Sequence, residues 1–178
     1  MKKDNKPAIR FKGFTDAWEQ RKFSEVVEIY SGMDYKHLED GDIPVYGTGG
    51  YMLSVNKALS YKQDAIGIGR KGTIDRPYIL KAPFWTVDTL FYCIPTLNYD
   101  LNFINCIFQN TDWKSKDEST GVPSLSKAII NTIETNIPPR EEQQRIGSFF
   151  HTLDTAITLH QRESHFFQSG GIEWEMKL

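Results

Sequence analysis

The residues closest to a known chemistry are Gly67-Ile-Gly-Arg-Lys-Gly72, which fit the GxGxxG spacing of dinucleotide-binding turns. Such a turn works only when a helix begins at the glycines, because unpaired N–H groups and the positive end of the helix dipole hold the pyrophosphate. Here Thr73-Ile-Asp-Arg-Pro77 follows, a β-branched pair and then a proline, which does not start a useful helix. Asn136-Ile-Pro-Pro-Arg140 has the outline of the Asn-Pro-Pro-aromatic motif with which amino-methyltransferases hold a base. An isoleucine interrupts it and an arginine stands in the aromatic's place, so it reads as a turn leading into a helix. Nuclease chemistry needs carboxylates and a lysine converging on a metal, and the acids here are scattered. Of His37, His151, His160 and His165, three lie on the last helical stretch, and none has a partner at metal or general-base spacing. Cys93 and Cys106 form no CxxC pair and read as free thiols of a reducing cytoplasm.

With catalysis set aside, binding is what these residue types can do. Ile68-Gly-Arg-Lys-Gly-Thr-Ile74 reads as two strand ends joined by a glycine-flanked basic turn that projects Arg70 and Lys71, with Thr73 and Arg76 close behind. Arginine can read guanine bidentately in the major groove, and lysine can meet a base or a phosphate. A second candidate loop, Lys114–Pro123, offers lysines and short hydroxyls, among them Ser119, Thr120 and Gly121 at its tip. Hydroxyls, backbone N–H groups and lysines are common phosphate ligands. Both stretches are equally compatible with solvated surface loops.

The elements that would carry these loops follow from apolar periodicity. Residues 1–13 are polar and basic, with Lys2, Lys3, Lys6, Arg10 and Lys12, and read as a flexible arm. Order should begin near Trp18. Ser24–Ile29 reads as a short helix capped by Ser24 and stopped at Ser31-Gly32. Between residues 43 and 95, short apolar runs cut by glycine and proline read as strands and turns: 43–46, 51–53, 65–68, 78–80 and 89–94. Leu101, Ile104, Ile107 and Phe108 then recur at helical spacing. A short helix begun at Ser124 or Ser126 leads into a strand ending at Ile137, and Pro138-Pro139 closes a globular part of residues 14–138.

From residue 139 to 168 a long helix is expected, with Pro139 at its first position and Glu141 and Glu142 at its positive end. Ile146, Phe150, Leu153 and Ile157 recur at 4, 3 and 4, a heptad seam that needs a second helix against it. No other segment is long enough to supply one within the chain. The seam turns polar at His160 and Ser164 before Phe167, Gly170-Gly171 should end the helix, and residues 169–178 form a tail. The fold class is mixed α/β: a small twisted β-sheet with short helices, followed by one long C-terminal helix.

At 178 residues with 39% hydrophobic content, the chain is long enough to bury a real core. Its net charge of −2 carries no global signature of a nucleic-acid binder, so any such surface must be local. No apolar run approaches a membrane span and no secretory signal is present, which points to a soluble cytoplasmic protein.

The ordered set of segments resembles the specificity (S) subunit of type I restriction-modification systems. The resemblance runs from Trp18 and Phe23–Ile29 through Ile43–Tyr46, Ile66–Gly72, Ala82–Asp88 and Ser119–Leu125 to Ile137–Ile146 and Leu153–Ile157. It implies a single target-recognition domain that reads one half of a bipartite DNA site, followed by a conserved helix. Chemistry would then belong to other subunits. The modification (methyltransferase) subunit would transfer methyl to adenine from S-adenosylmethionine, the restriction subunit would cleave with ATP, and this chain would bind no cofactor and no metal. The DNA-facing residues implied are Arg70, Lys71, Thr73 and Arg76, with Ser119, Thr120 and Gly121. Ile146, Phe150, Leu153 and Ile157 would dock the modification subunit or pair two copies as a homodimer. One domain and one helix stand where the family has two of each. The alternative reading is a truncated or vestigial fragment that binds partner subunits without reading DNA.

Overall fold

The computed structural model describes the backbone of residues 7–169 and side chains as far as residue 161. Lys2, Lys3, Lys6, the seam side chains of Ser164 and Phe167, the stop at Gly170-Gly171 and the tail beyond it lie outside the described residues.

Among the described residues, nine strands and four α-helices follow one another along the chain. They are β1 (Glu19–Lys22), α1 (Phe23–Val26), β2 (Val27–Ser31), β3 (Asp40–Gly47), β4 (Gly50–Val55), β5 (Ala65–Gly69) and β6 (Tyr78–Leu80). Then follow β7 (Trp85–Thr86), β8 (Leu90–Pro95), α2 (Leu101–Gln109), α3 (Lys127–Thr132), β9 (Glu134–Ile137) and α4 (Arg140–Ser169). The mixed α/β class holds, but the strands divide among three small sheets. An antiparallel sheet in the order β2-β8-β5-β6 forms the centre, with a three-stranded sheet β4-β3-β7 and a pair β1-β9 beside it.

The centre is buried from both sides, which explains why β5 is buried at every residue. Ile66 lies opposite Cys93, and Ile68 opposite Phe91. These point to a core shared with Phe23, Phe103, Phe108, Trp113 and Ile130 from the helices. Phe23 stacks on Phe108 at 4.9 Å, and the Trp113 indole donates to the Phe108 carbonyl at 2.7 Å, so the largest rings are both packed and satisfied. Ala65, Leu90 and Tyr92 face the other way, into a second cluster with Leu80 and Phe84. Burial pushes the Cys93 thiol well above its ordinary pKa and the Cys106 thiol up to about 11, leaving both protonated and unreactive near neutrality.

Two expectations need correction. The helix expected over Ser24–Ile29 ends at Val26, and Val27–Ser31 is a strand paired with β8. Alternating burial with a neighbour available on the central sheet outweighs a four-residue helix that could make few internal hydrogen bonds. The seam of α4 also has an internal partner: the short helix α2 packs against the first turns of α4. A Cβ at Gly147 would lie 2.5 Å from Asp100 Oδ1 and 2.7 Å from Phe103 N, so only glycine lets the helices approach this closely.

The root of α4 is fixed from several directions. Gln143 accepts from Asp100 N and donates to the Pro138 carbonyl, both at 3.0 Å. Arg140 donates to the Leu97 carbonyl at 2.9 Å. Within the stretch read as a flexible arm, Arg10 grips the fully buried Glu142 carboxylate through Nε and Nη2, each at 2.6 Å. Phe11 meets the Phe149 ring edge to face at 5.8 Å.

Candidate nucleic-acid interface

β5 delivers the chain to Arg70 at the rim of the central sheet. Gly69 sits where any side chain would collide with the Thr73 carbonyl oxygen, 1.9 Å from an ideal Cβ, so the backbone folds back on itself here. No helix follows Gly67–Gly72. The anticipated tight turn between two strands is not what forms, however. The strand stops at Gly69, Ile74 and Pro77 turn inward as buried anchors, and the next strand begins only at Tyr78. The result is a loop of residues 70–77 with fixed ends and an exposed basic crest.

The two stretches read separately from sequence form one surface. Lys71 and Ser124 make an antiparallel bridge. Leu125 N donates to the Arg70 carbonyl at 2.9 Å, and Gly72 N to the Pro123 carbonyl at 2.8 Å. A salt bridge of 2.9 Å from Lys114 to Asp75 joins the same loops a second time. That contact, foremost the hydrogen bond from Lys114, holds the Asp75 carboxyl below its ordinary pKa. Asp117 organises the second loop by accepting from Ser124 N, Ser119 N and the Ser119 hydroxyl at 2.8–2.9 Å. Those bonds, with the backbone N–H of Ser124 first, keep Asp117 ionised below the usual aspartate range.

Each proposed contact residue therefore has a defined setting. Arg70 is exposed, its guanidinium 5.8 Å from the Phe91 ring and 3.4 Å from the Asp88 carbonyl, so it is steered without being neutralised. Lys127 approaches the same ring at 5.9 Å and adds a cation that sequence reading missed. Among the described residues, the Lys71 ammonium has no ion-pair partner. Thr73 and Arg76 are exposed on the loop, and Thr120 and Gly121 are exposed on the neighbouring one. Ser119 differs, because its hydroxyl proton is committed to Asp117. Arg70 and Lys127 thus share the Phe91 ring, and Lys71 and Arg76 lie on the same loop as Arg70, which also carries Asp75.

The helix residues separate as well. Ile146 packs on the main core, whereas Phe150, Leu153 and Ile157 remain 42–46% exposed along α4. Among the described residues, no group of three or more His, Cys, Asp or Glu could hold a metal ion, and no helix is long and apolar enough to cross a membrane. The Arg10–Glu142 pair was invisible in sequence, since nothing marks two residues 132 positions apart as partners.

Residues 15–165 match the family described as type I restriction modification DNA specificity domain. The S subunit of a type I restriction-modification system from M. genitalium superposes with a TM-score of 0.67 at 21% identity, over 82% of this chain and 41% of that one. The HsdS subunit from Thermoanaerobacter tengcongensis gives 0.61 at 13% identity, over 89% and 42%. A structure reported for complex assembly and conformational transition of the type I R-M system gives 0.64 at 14% identity, over 85% and 42%. The chain thus spans about two fifths of the length of the solved structures it matches. No curated protein matches it by sequence. The chain belongs to the type I restriction modification DNA specificity domain family, and as such is a recognition module and not a catalyst.

Proposed function

We propose that this chain reads one half of a bipartite duplex DNA site through loops 70–77 and 117–126, on behalf of partner subunits that methylate adenine and cleave. The observation that supports this most is the joining of the two loops by the Lys71–Ser124 bridge, which turns two weak signals into one cationic, hydroxyl-edged surface. Arg70, held over Phe91, is the base reader, while Lys71 and Arg76 meet phosphates and Thr73, Thr120 and Gly121 offer hydroxyls and backbone N–H groups. Ser119 supports the loop through Asp117 and contacts DNA through its backbone at most. S-adenosylmethionine and ATP belong to the modification and restriction subunits, and this chain takes no cofactor. Phe150, Leu153 and Ile157 dock a helix of the modification subunit or of a second copy, forming a short coiled coil. The protein works in the cytoplasm, where its DNA is.

The test is selection from a random duplex pool, with the chain alone and with its modification subunit. Enrichment of a defined sequence is expected. Arg70→Ala should lose discrimination at one base position by about 1–3 kcal/mol, the usual worth of a bidentate guanine contact. An unchanged preferred sequence in that variant removes the base-reading role, and no enrichment in either mixture removes the reading as a whole.

A further inference from the structure

Several strand ends meet where the basic loops emerge. β5 ends at Gly69 opposite Leu90, the start of β8, and Tyr78 at the start of β6 lies opposite Gly67. The other sheet ends at the same place. β3 runs parallel to β7, Val87 N donates to the Tyr46 carbonyl at 3.0 Å, and the turn that follows supplies the Thr89 carbonyl bound by Arg70 N at 2.8 Å. A second tie crosses directly, because the Tyr78 hydroxyl donates to the Gly47 carbonyl at 2.6 Å. The tip of the β3–β4 hairpin, residues 47–52, is therefore fixed beside the loop that carries Arg70 and Arg76.

This tip is chemically unlike the loops next to it. It has no charge, and it exposes Tyr51 by 63% and Met52 by 48%. Tyr51 is held in place. Its ring meets Tyr46 at 6.4 Å, Tyr46 meets Tyr78 at 6.2 Å, and its hydroxyl lies 3.2 Å from Ser54 Oγ. An oriented aromatic ring next to free cations suits a duplex: the cations take the phosphates, and the ring contacts sugar or base edges within a groove, as apolar side chains of groove-binding proteins do.

We propose that the hairpin tip is a second reading element, in which Tyr51 contacts the bases or sugars of the DNA whose phosphates are held by the basic loops. The inference rests on the DNA-reading role proposed above. Because the tip is uncharged, it adds to sequence choice without adding to counterion release, whereas Lys71 does the reverse.

The full chain, with its modification subunit, would be taken through the same duplex selection and then through affinity measurements over a salt series. Tyr51→Ala should weaken binding to the selected sequence about tenfold, in the range of single aromatic–base contacts, and blur at least one position while leaving the salt slope unchanged. Lys71→Ala should lower the salt slope by about one phosphate and leave the preferred sequence alone. Tyr51→Phe keeps the ring and loses only the Ser54 contact, so it should behave as wild type and shows that the hairpin still folds. If Tyr51→Ala retains both affinity and preferred sequence while Arg70→Ala does not, the hairpin has no reading role and the basic loop keeps its own. If the unaltered chain selects no sequence, both fall together.

Discussion

The two parts of helix α4 share one apolar pattern and meet opposite fates. Over residues 140–147 every inward group has a partner in the same chain: Glu142 holds Arg10, Gln143 bridges to Asp100 and Pro138, Ile146 lies on the core, and Gly147 touches α2. Beyond Phe149, which still meets Phe11, the side chains of Phe150, Leu153, Ile157 and Leu159 are 42–55% exposed. The domain thus uses the root of the helix to fix its direction and leaves the continuation apolar and open. A heptad seam read from sequence identifies the face of a helix, but it does not distinguish the part consumed internally from the part left for another molecule.

Substitutions at the root and on the continuation should separate these roles. The largest effect is expected for Arg10→Ala, which strands the buried Glu142 carboxylate and should cost roughly 3 kcal/mol in urea unfolding, the low end for removing one partner of a buried ion pair. A loss below about 1 kcal/mol would place the pair's worth near that of a surface contact and break the contrast. Gly147→Ala comes next, at about 1–2 kcal/mol net, because overpacking against Asp100 and Phe103 outweighs alanine's better helix propensity. Smallest is the double change Phe150→Ser with Leu153→Ser, which should leave the free energy of unfolding within about 0.5 kcal/mol of wild type while abolishing association with the modification subunit or a second copy. Stability lost in that double variant would show that the exposed stretch folds back on its own domain.

Legibility followed the range of the interactions that decide each element. Helix α2 was readable because its apolar periodicity is strong, and the structure adds a local cap, Asp100, accepting from Phe103 N at 3.0 Å. The Ser126 cap of α3 and the strand β9 were readable for similar reasons. Val27–Ser31 was not, since Val26, Val27 and Ile29 fit a short helix as well as a strand until β8 lies alongside. β1, the charged segment Glu19–Lys22, gave no strand signal at all and is extended only because β9 pairs with it. The candidate site shows the same division. Its residue types and both loops were legible, but their union at Lys71–Ser124 joins positions far apart in the chain, the approach of Lys127 to Phe91 depends on how α3 packs on β8, and the place of the hairpin tip depends on the meeting of two sheets.

The Arg10–Glu142 pair has a mechanical meaning. The two flanks of the domain leave it side by side, and β1 and β9 are antiparallel, with Glu19 opposite Ile137 at the end nearest both flanks. Tension applied through α4 and the N-terminal segment would load that two-stranded pair as a zipper, parting it one rung at a time from its weakest end. The ion pair lies ahead of the first rung, where it acts as a clasp. A pull that separates the two flanks would therefore meet the Arg10–Glu142 clasp before the first rung of β1–β9, while the ties of α4 to Asp100 and Leu97 hold the helix root to the rest of the domain.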